Sequence, residues 1–298
     1  MNNSAFIYKR LPLSAEYLLR ILQGNRLGFL LESSLHAYHL GRFSFFGIDP
    51  FMILESKDGN TSIIEDGVRK ASDACVFHQM RALLKRYRLN TKHTKIDIPF
   101  LGGAMGFLSY DLGFSLEHIK RYNRDDTAIP DVWLAFFDAV VCIDHDKDRV
   151  LLFSSGFPET NPRLRRIRSE MRLKQLLAEL HRRETDDQWH DRRALLCKSY
   201  QLQSNFSPHE YMTAVKRARG YINRGDIYQI NLSQRFHTKT DFTPEQLYMN
   251  LRNVFPVPFG GIMRGDDFSI ISGSPERFLK YDGRFLVTRP MKGTRARA

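Results

Sequence analysis

Short apolar runs of strand length, each closed by turn residues, fill the first half of the chain and set what it can fold into. GFLLES at 28–33, RFSFFGI at 42–48, FMILES at 51–56 and TSIIED at 61–66 follow one another, separated by turn residues such as Asp49-Pro50 and Asp58-Gly59-Asn60. The links are too short for the helical crossover that a parallel pair needs, so the pattern predicts an antiparallel meander. Two more strands, WLAFFDAVVCIDH and RVLLFSSG, are joined by a turn at 145–148 and close a first unit near Gly156. Helical spacing interrupts the strands twice. Leu11, Tyr17, Leu18, Ile21 and Leu22 share one face over 11–23, with Ser14 as N-cap and Gly24 as the stop, and residues 74–88 return to that period. Between 98 and 113 the run IPFLGGAMGFLSYDLG is broken by glycines, as where backbones approach closely.

Residues 157–203 form a densely charged connector with Leu164, Ile167, Met171, Leu176, Leu177 and Leu180 read as one helical stripe. The chain carries 45 Lys and Arg against 33 Asp and Glu, a net charge of +12, which leaves open a nucleic-acid partner or an anionic substrate. The connector mixes glutamates among its arginines and lacks interleaved aromatics, so it reads as a solvated helix, and no nucleic-acid partner is expected. No apolar run approaches the roughly 20 residues of a membrane helix, and the N-terminus lacks the apolar core of a signal peptide; the expected location is cytoplasmic. Cys75, Cys142 and Cys197 lie far apart without a CxxC, which predicts neither a zinc site nor a disulfide framework.

A second unit spans 204–298. A helix capped at Ser207 or Asn205 runs to Gly225, a strand passes through IYQINLSQRF, a short helix lies near 244–253, and FPVPFGGIM and FSIISG follow. The segment ERFLKY-Asp282-Gly283-RFLVTR predicts a hairpin on a two-residue type I′ turn, pairing Tyr281 with Arg284 and setting Glu276 opposite Arg289. Lys292 follows just past Pro290. A carboxylate and a lysine at one hairpin end form either a surface ion pair or a catalytic couple, since a lysine attacks only when burial or a neighbouring cation makes it neutral.

Four strings in this order, GGAMGFLSYDLG (102–113), GDIYQINLSQRF (225–236), SGSPERFL (272–279) and TRPMKGTR (288–295), resemble the component I para-aminobenzoate synthases, the aminodeoxychorismate synthases. The likeness extends from near residue 30 to Ala298. It implies an α+β fold of four layers, two orthogonally packed antiparallel sheets with helices outside, incomplete at the C-terminus because the family's later motifs do not follow Ala298. It implies the conversion of chorismate and ammonia to 4-amino-4-deoxychorismate, ammonia coming from a glutamine amidotransferase subunit. Lys292 would be the nucleophile at ring C2, Glu276 the proton-transfer group, and Gly293 and Thr294 would hold a substrate carboxylate. Mg²⁺ would be the cofactor, on ligands absent from residues 1–298. A tryptophan pocket would draw on Leu31, Ser33, Arg42, Phe43, Ser44, Pro258 and Phe259. The related anthranilate synthases resemble PIAGT where this chain has Pro290-Met291-Lys292-Gly293-Thr294; an anthranilate synthase and an inactive tryptophan-binding or partner-binding remnant stay as alternatives.

Overall fold

The computed structural model describes residues 5–9 as backbone, and residues 13–35, 40–89, 97–117, 119–120, 125–182, 200–291 and 293 in full. The chain enters through β1 (Ala5–Lys9), α1 (Ala15–Gln23), β2 (Gly28–Glu32), β3 (Phe43–Ile48), β4 (Met52–Lys57), β5 (Asn60–Glu65), β6 (Val68–Ser72) and α2 (Val76–Arg86). It continues through β7 (Gly103–Leu108), the single turn α3 (Gly113–Leu116), β8 (Val132–Phe137), β9 (Ala139–Asp144), β10 (Arg149–Ser154) and α4 (Pro162–Arg182). Then come β11 (Gln203–Ser204), α5 (Pro208–Arg224), β12 (Phe236–His237), α6 (Pro244–Val254), β13 (Phe259–Arg264), β14 (Ser269–Ser274), β15 (Arg277–Tyr281) and β16 (Leu286–Arg289).

Two antiparallel sheets carry the fold. The larger has seven strands in the order β1-β10-β9-β3-β2-β13-β14, and the smaller has five in the order β6-β5-β4-β8-β7. They share a dry interior built from alternate residues of facing strands: Phe29 of β2, Val140 and Cys142 of β9 and Met263 of β13 meet Ile53 of β4, Met105 of β7 and Trp133 and Phe137 of β8. Phe29 and Phe137 pack edge to face at 4.8 Å. Burying a side chain of this size contributes roughly 1.5–3 kcal/mol, so the inter-sheet layer is the main store of stability. α1, α4 and α6 cover the larger sheet, α4 over β1, β9 and β10 and α6 over β13 and β14, while α2 lies on β4 of the smaller one.

Local signals account for the helices. Ser14 caps α1 by accepting from the Tyr17 amide at 3.1 Å, and Leu18, Leu19, Ile21 and Leu22 turn its apolar face to the core. The connector folds as α4, and its buried stripe shares only Leu176 and Leu180 with the expected one. Ser169, Leu173, Leu176 and Leu180 are buried, whereas Leu164, Ile167 and Met171 lie on the opposite, exposed face. Arginines hold the helix in this rotation: Arg172 reaches the fully buried Asp138 at 3.1 Å, Arg168 the Phe157 carbonyl at 3.0 Å and Arg165 the Ser155 carbonyl at 2.7 Å. Gly106 marks a close approach of strands, since a Cβ there would meet the Trp133 carbonyl oxygen at 1.8 Å.

The chain divides into two compact units, Met1–Asp187 with Pro244–Ala298, and Gln188–Thr243. These differ from the boundaries at 156 and 203 read from the sequence. The reason is long-range pairing: β13 joins β2, with Ile262 opposite Leu30, so the last apolar segments belong to the first sheet. In the smaller unit, α5 is closed by a Ser207–Glu210 capping box and by Gly225 in the left-handed region. The strand expected through 227–236 is reduced there to β12, which pairs with β11.

Candidate functional site

Two groups of residues singled out in the sequence are placed by the structure, one at the end of β2 and the start of β3 and one at the β14–β15 junction. In the first, Arg42 is the charged centre. It forks onto Asp144 through Nε at 3.0 Å and Nη2 at 3.2 Å, and gives Nη1 to Asp97 at 2.7 Å. Arg149 adds a second cation to Asp144, 3.0 Å away. These bonds, to Asp144 first and Asp97 second, raise the Arg42 pKa above its ordinary value. Burial alone would raise the carboxyl of Asp144, but the two arginines outweigh it and hold it below the usual carboxylate range. Asp144 and its partnership went unread in the sequence. The signal was a lone carboxylate closing the otherwise apolar strand AVVCID, which a buried position obliges to find a cation.

Ser33 and Ser44 are joined, the Ser33 amide donating to Ser44 Oγ at 3.2 Å. Ser33 Oγ donates to the Pro258 carbonyl at 2.8 Å, and Ser44 Oγ lies 2.8 Å from His145 Nε2. The structure thus brings Ser33, Ser44, Arg42, Asp144 and Pro258 into one neighbourhood from four separate stretches of chain. It also divides the seven residues expected to line one pocket. Strand alternation puts Ser44 on the helix-covered face with Leu30 and Glu32, and Leu31, Phe43 and Phe259 on the opposite, inter-sheet face. Phe43 packs against the inter-sheet core beneath Arg42, whose guanidinium sits 4.5 Å from the ring centroid. Leu31 stays partly open, and Phe259 carries the Arg277 guanidinium at 5.1 Å.

At the second locus, Glu276 sits between β14 and β15, its amide donating to Ser274 Oγ at 3.2 Å. The hairpin register departs from the expectation: Tyr281 pairs with Leu286 and Arg277 with Arg289, with an irregularity between Arg277 and Lys280. Residues 282–285 form the loop, because Asp282 Oδ1 accepts from the amides of both Arg284 and Phe285 and tightens a four-residue turn in place of the two-residue one. Arg277, and not Glu276, therefore faces Arg289, and Glu276 lies one step nearer the open end. Gly293 is exposed; Lys292 and Thr294 lie outside the described residues. Among the described residues no cluster of three or more His, Cys, Asp or Glu could hold a metal ion. Burial pushes the Cys142 thiol up to about 12, the opposite of what a nucleophilic thiol needs.

The chain matches the chorismate binding enzyme family over residues 35–298. It is 30% identical to aminodeoxychorismate synthase component 1 of Bacillus subtilis, the match covering 97% of this chain and 60% of that protein. It is 31% identical to anthranilate synthase component 1 of Thermus thermophilus, over 94% of this chain and 56% of the relative, and 28% identical to aminodeoxychorismate synthase component 1 of Escherichia coli, over 94% and 57%. The chain thus spans less than two thirds of the length of these relatives. Its fold is similar to the crystal structure of anthranilate synthase component I from Streptococcus pneumoniae, with a TM-score of 0.64 and 23% identity over 85% of this chain and 54% of that one. The four motifs, the paired antiparallel sheets and these matches agree, and the chain belongs to the chorismate-binding enzyme family.

Proposed function

We propose that the protein is the component I subunit of an aminodeoxychorismate synthase, converting chorismate and ammonia to 4-amino-4-deoxychorismate for 4-aminobenzoate and folate synthesis. The observation that carries this reading is Lys292 in Pro290-Met291-Lys292-Gly293-Thr294, where anthranilate synthases resemble PIAGT. The lysine amine adds to ring C2 of chorismate as the C4 hydroxyl leaves; ammonia then forms the bond at C4 and the C2–lysine bond breaks. Glu276 supplies the proton that the departing hydroxyl takes up. The β15–β16 hairpin sets Arg277 opposite Arg289 at its open end, and the Pro290-Met291-Lys292 stretch follows in sequence. Gly293 and Thr294 would receive a substrate carboxylate, ammonia would come from a separate glutamine amidotransferase subunit, and the reaction would proceed in the cytoplasm. Leu31, Phe43 and Phe259 on the inter-sheet face, with Ser33 beside them, would receive tryptophan as a bound effector.

The test is product identity with ammonium as nitrogen source, measured on the intact protein with and without Lys292→Ala. Aminodeoxychorismate formation is expected from the native protein and should be abolished by the substitution, while Glu276→Gln lowers it roughly 10²–10⁴-fold. Anthranilate as the product, or full activity in Lys292→Ala, would overturn the assignment.

A further inference from the structure

We infer that Ser274 is a positioning residue, its hydroxyl fixing the backbone from which Glu276 presents its carboxylate. Glu276 keeps the role proposed above, on which this inference rests; Ser274 is what aims it. The Glu276 side chain is exposed, so core packing does not direct it. Its direction is set by the backbone that carries it, and that backbone is a corner. β14 ends at Ser274, β15 begins at Arg277, and only Pro275 and Glu276 lie between them.

Both ends of the corner are tied to one residue. Ser274 pairs with Phe259 in the β13–β14 ladder, and the Arg277 guanidinium lies 5.1 Å from the centroid of the Phe259 ring. Between these ties, Pro275 has its φ locked near about −65° by its own ring and brings no amide donor. That leaves Glu276 as the loose step, and the Ser274 hydroxyl closes it from both sides. Ser274 Oγ accepts from the Glu276 amide at 3.2 Å and donates to the Glu276 carbonyl at 3.2 Å. Among the described residues these are the hydrogen bonds that residue 276 makes outside the strand ladders, and both go to one oxygen. Without that oxygen the backbone dihedrals of Glu276 lose their restraint, and a displacement of about 1 Å in a positioned group costs on the order of 10²-fold in rate. Alanine can make neither bond, whereas threonine carries the same hydroxyl on a side chain suited to a strand end.

The experiment follows chorismate consumption by the intact protein with ammonium, for Ser274→Ala, Ser274→Thr, Glu276→Gln and the double variant of Ser274→Ala with Glu276→Gln, together with amide exchange at Glu276. Ser274→Ala is expected to lower kcat about 10–100-fold while KM stays within about twofold. It should also speed exchange at Glu276 about fivefold or more, and Ser274→Thr should return both readouts to within about threefold of native. In the Glu276→Gln background the alanine substitution should cost less than about threefold, since a residue that acts through Glu276 then has nothing left to aim. An equal loss in both backgrounds, a raised KM with kcat unchanged, or native exchange at Glu276 in Ser274→Ala would overturn the inference. The exchange measurement decides by itself where turnover is too slow to follow. Full turnover in Glu276→Gln would remove the role of Glu276 and this inference together, whereas an impaired Glu276→Gln beside a native-like Ser274→Ala would remove this inference alone. Chorismate consumption is read whatever the product, so anthranilate as the product would overturn the synthase reading and leave this test standing.

Discussion

The β2–β3–β9 block and the β15–β16 hairpin are both antiparallel, both rich in Phe, Leu and Val, and physically opposite. In the block, Phe29, Leu30, Phe46, Val140 and Val141 are excluded from water by a second sheet on one side and helices on the other. In the hairpin, Phe278 is 82% exposed and Leu286 64%. Alternation and a tight loop suffice to pair two strands; only a second apolar layer turns that pairing into stability. The difference also sorts function. The candidate catalytic carboxylate Glu276 stands at the end of the exposed hairpin, whereas the ion-paired Arg42–Asp144 centre belongs to the packed block.

Truncating each region should break or confirm this contrast. Phe29→Ala is expected to cost about 3–5 kcal/mol, the loss of a large ring plus the cavity it leaves. Phe278→Ala should stay within about 0.5 kcal/mol, as for an exposed position. Urea unfolding of both variants measures this directly. A hairpin substitution as costly as the core one would show that the hairpin face is covered in solution.

Next in size is the charge centre of the block. Arg42→Met leaves Asp144 buried with Arg149 alone, and removing one partner of such a pair typically costs about 3 kcal/mol. The pH dependence has a fixed sign. The folded-state pKa of Asp144 lies below its unfolded value, so its contribution is complete above about pH 4 and is lost as pH falls through the folded value. Melting temperatures from pH 7 to pH 3 should therefore fall on the acid side, and less steeply in Asp144→Asn. A steeper fall in that variant would contradict the assignment of Asp144 as a stabilising carboxylate.

Much of the packed block was legible because its local and global signals coincide. Ser14 and Gly24 bracket α1 as expected, and β2 to β5 fall within a residue or two of their sequence bounds. β1 and β6 were missed. VRKAS has no apolar alternation because β6 is an exposed sheet edge, held by pairing Ile64 of β5 with Arg69 rather than by burial. The α4 stripe was read only in part because a 3.6-residue period fits two opposite faces of a helix bearing apolar residues on both; the contacts of Arg172 with Asp138 and of Arg168 and Arg165 with the Phe157 and Ser155 carbonyls select the one that turns inward. The second locus was legible as a motif but not as geometry, since the side-chain turn at Asp282 overrode the Asp-Gly pairing and moved Glu276 by one position. Glu32, Arg252 and Tyr248 carried no local signal at all; their meeting is a product of β13 joining β2.

The smallest expected effect sharpens the comparison by moving it to helices. Ser14 and Ser207 both cap by accepting an amide in the first turn, at 3.1 Å and 3.2 Å. Removing either hydroxyl by alanine substitution costs about 1 kcal/mol. In α1, four buried residues hold the helix whatever its cap does, so the loss from Ser14→Ala should spread through the whole fold and appear only as a lower melting temperature. In α5, Ala218 alone is buried, and the Ser207–Glu210 box supplies a larger share of what keeps the first turn closed. Ser207→Ala should therefore speed amide exchange at 208–211 several-fold while leaving the global melting temperature nearly unchanged. Equal local exchange in the two variants would mean that α5 is buttressed as firmly as α1, and that exposure does not measure how far a helix depends on its own ends.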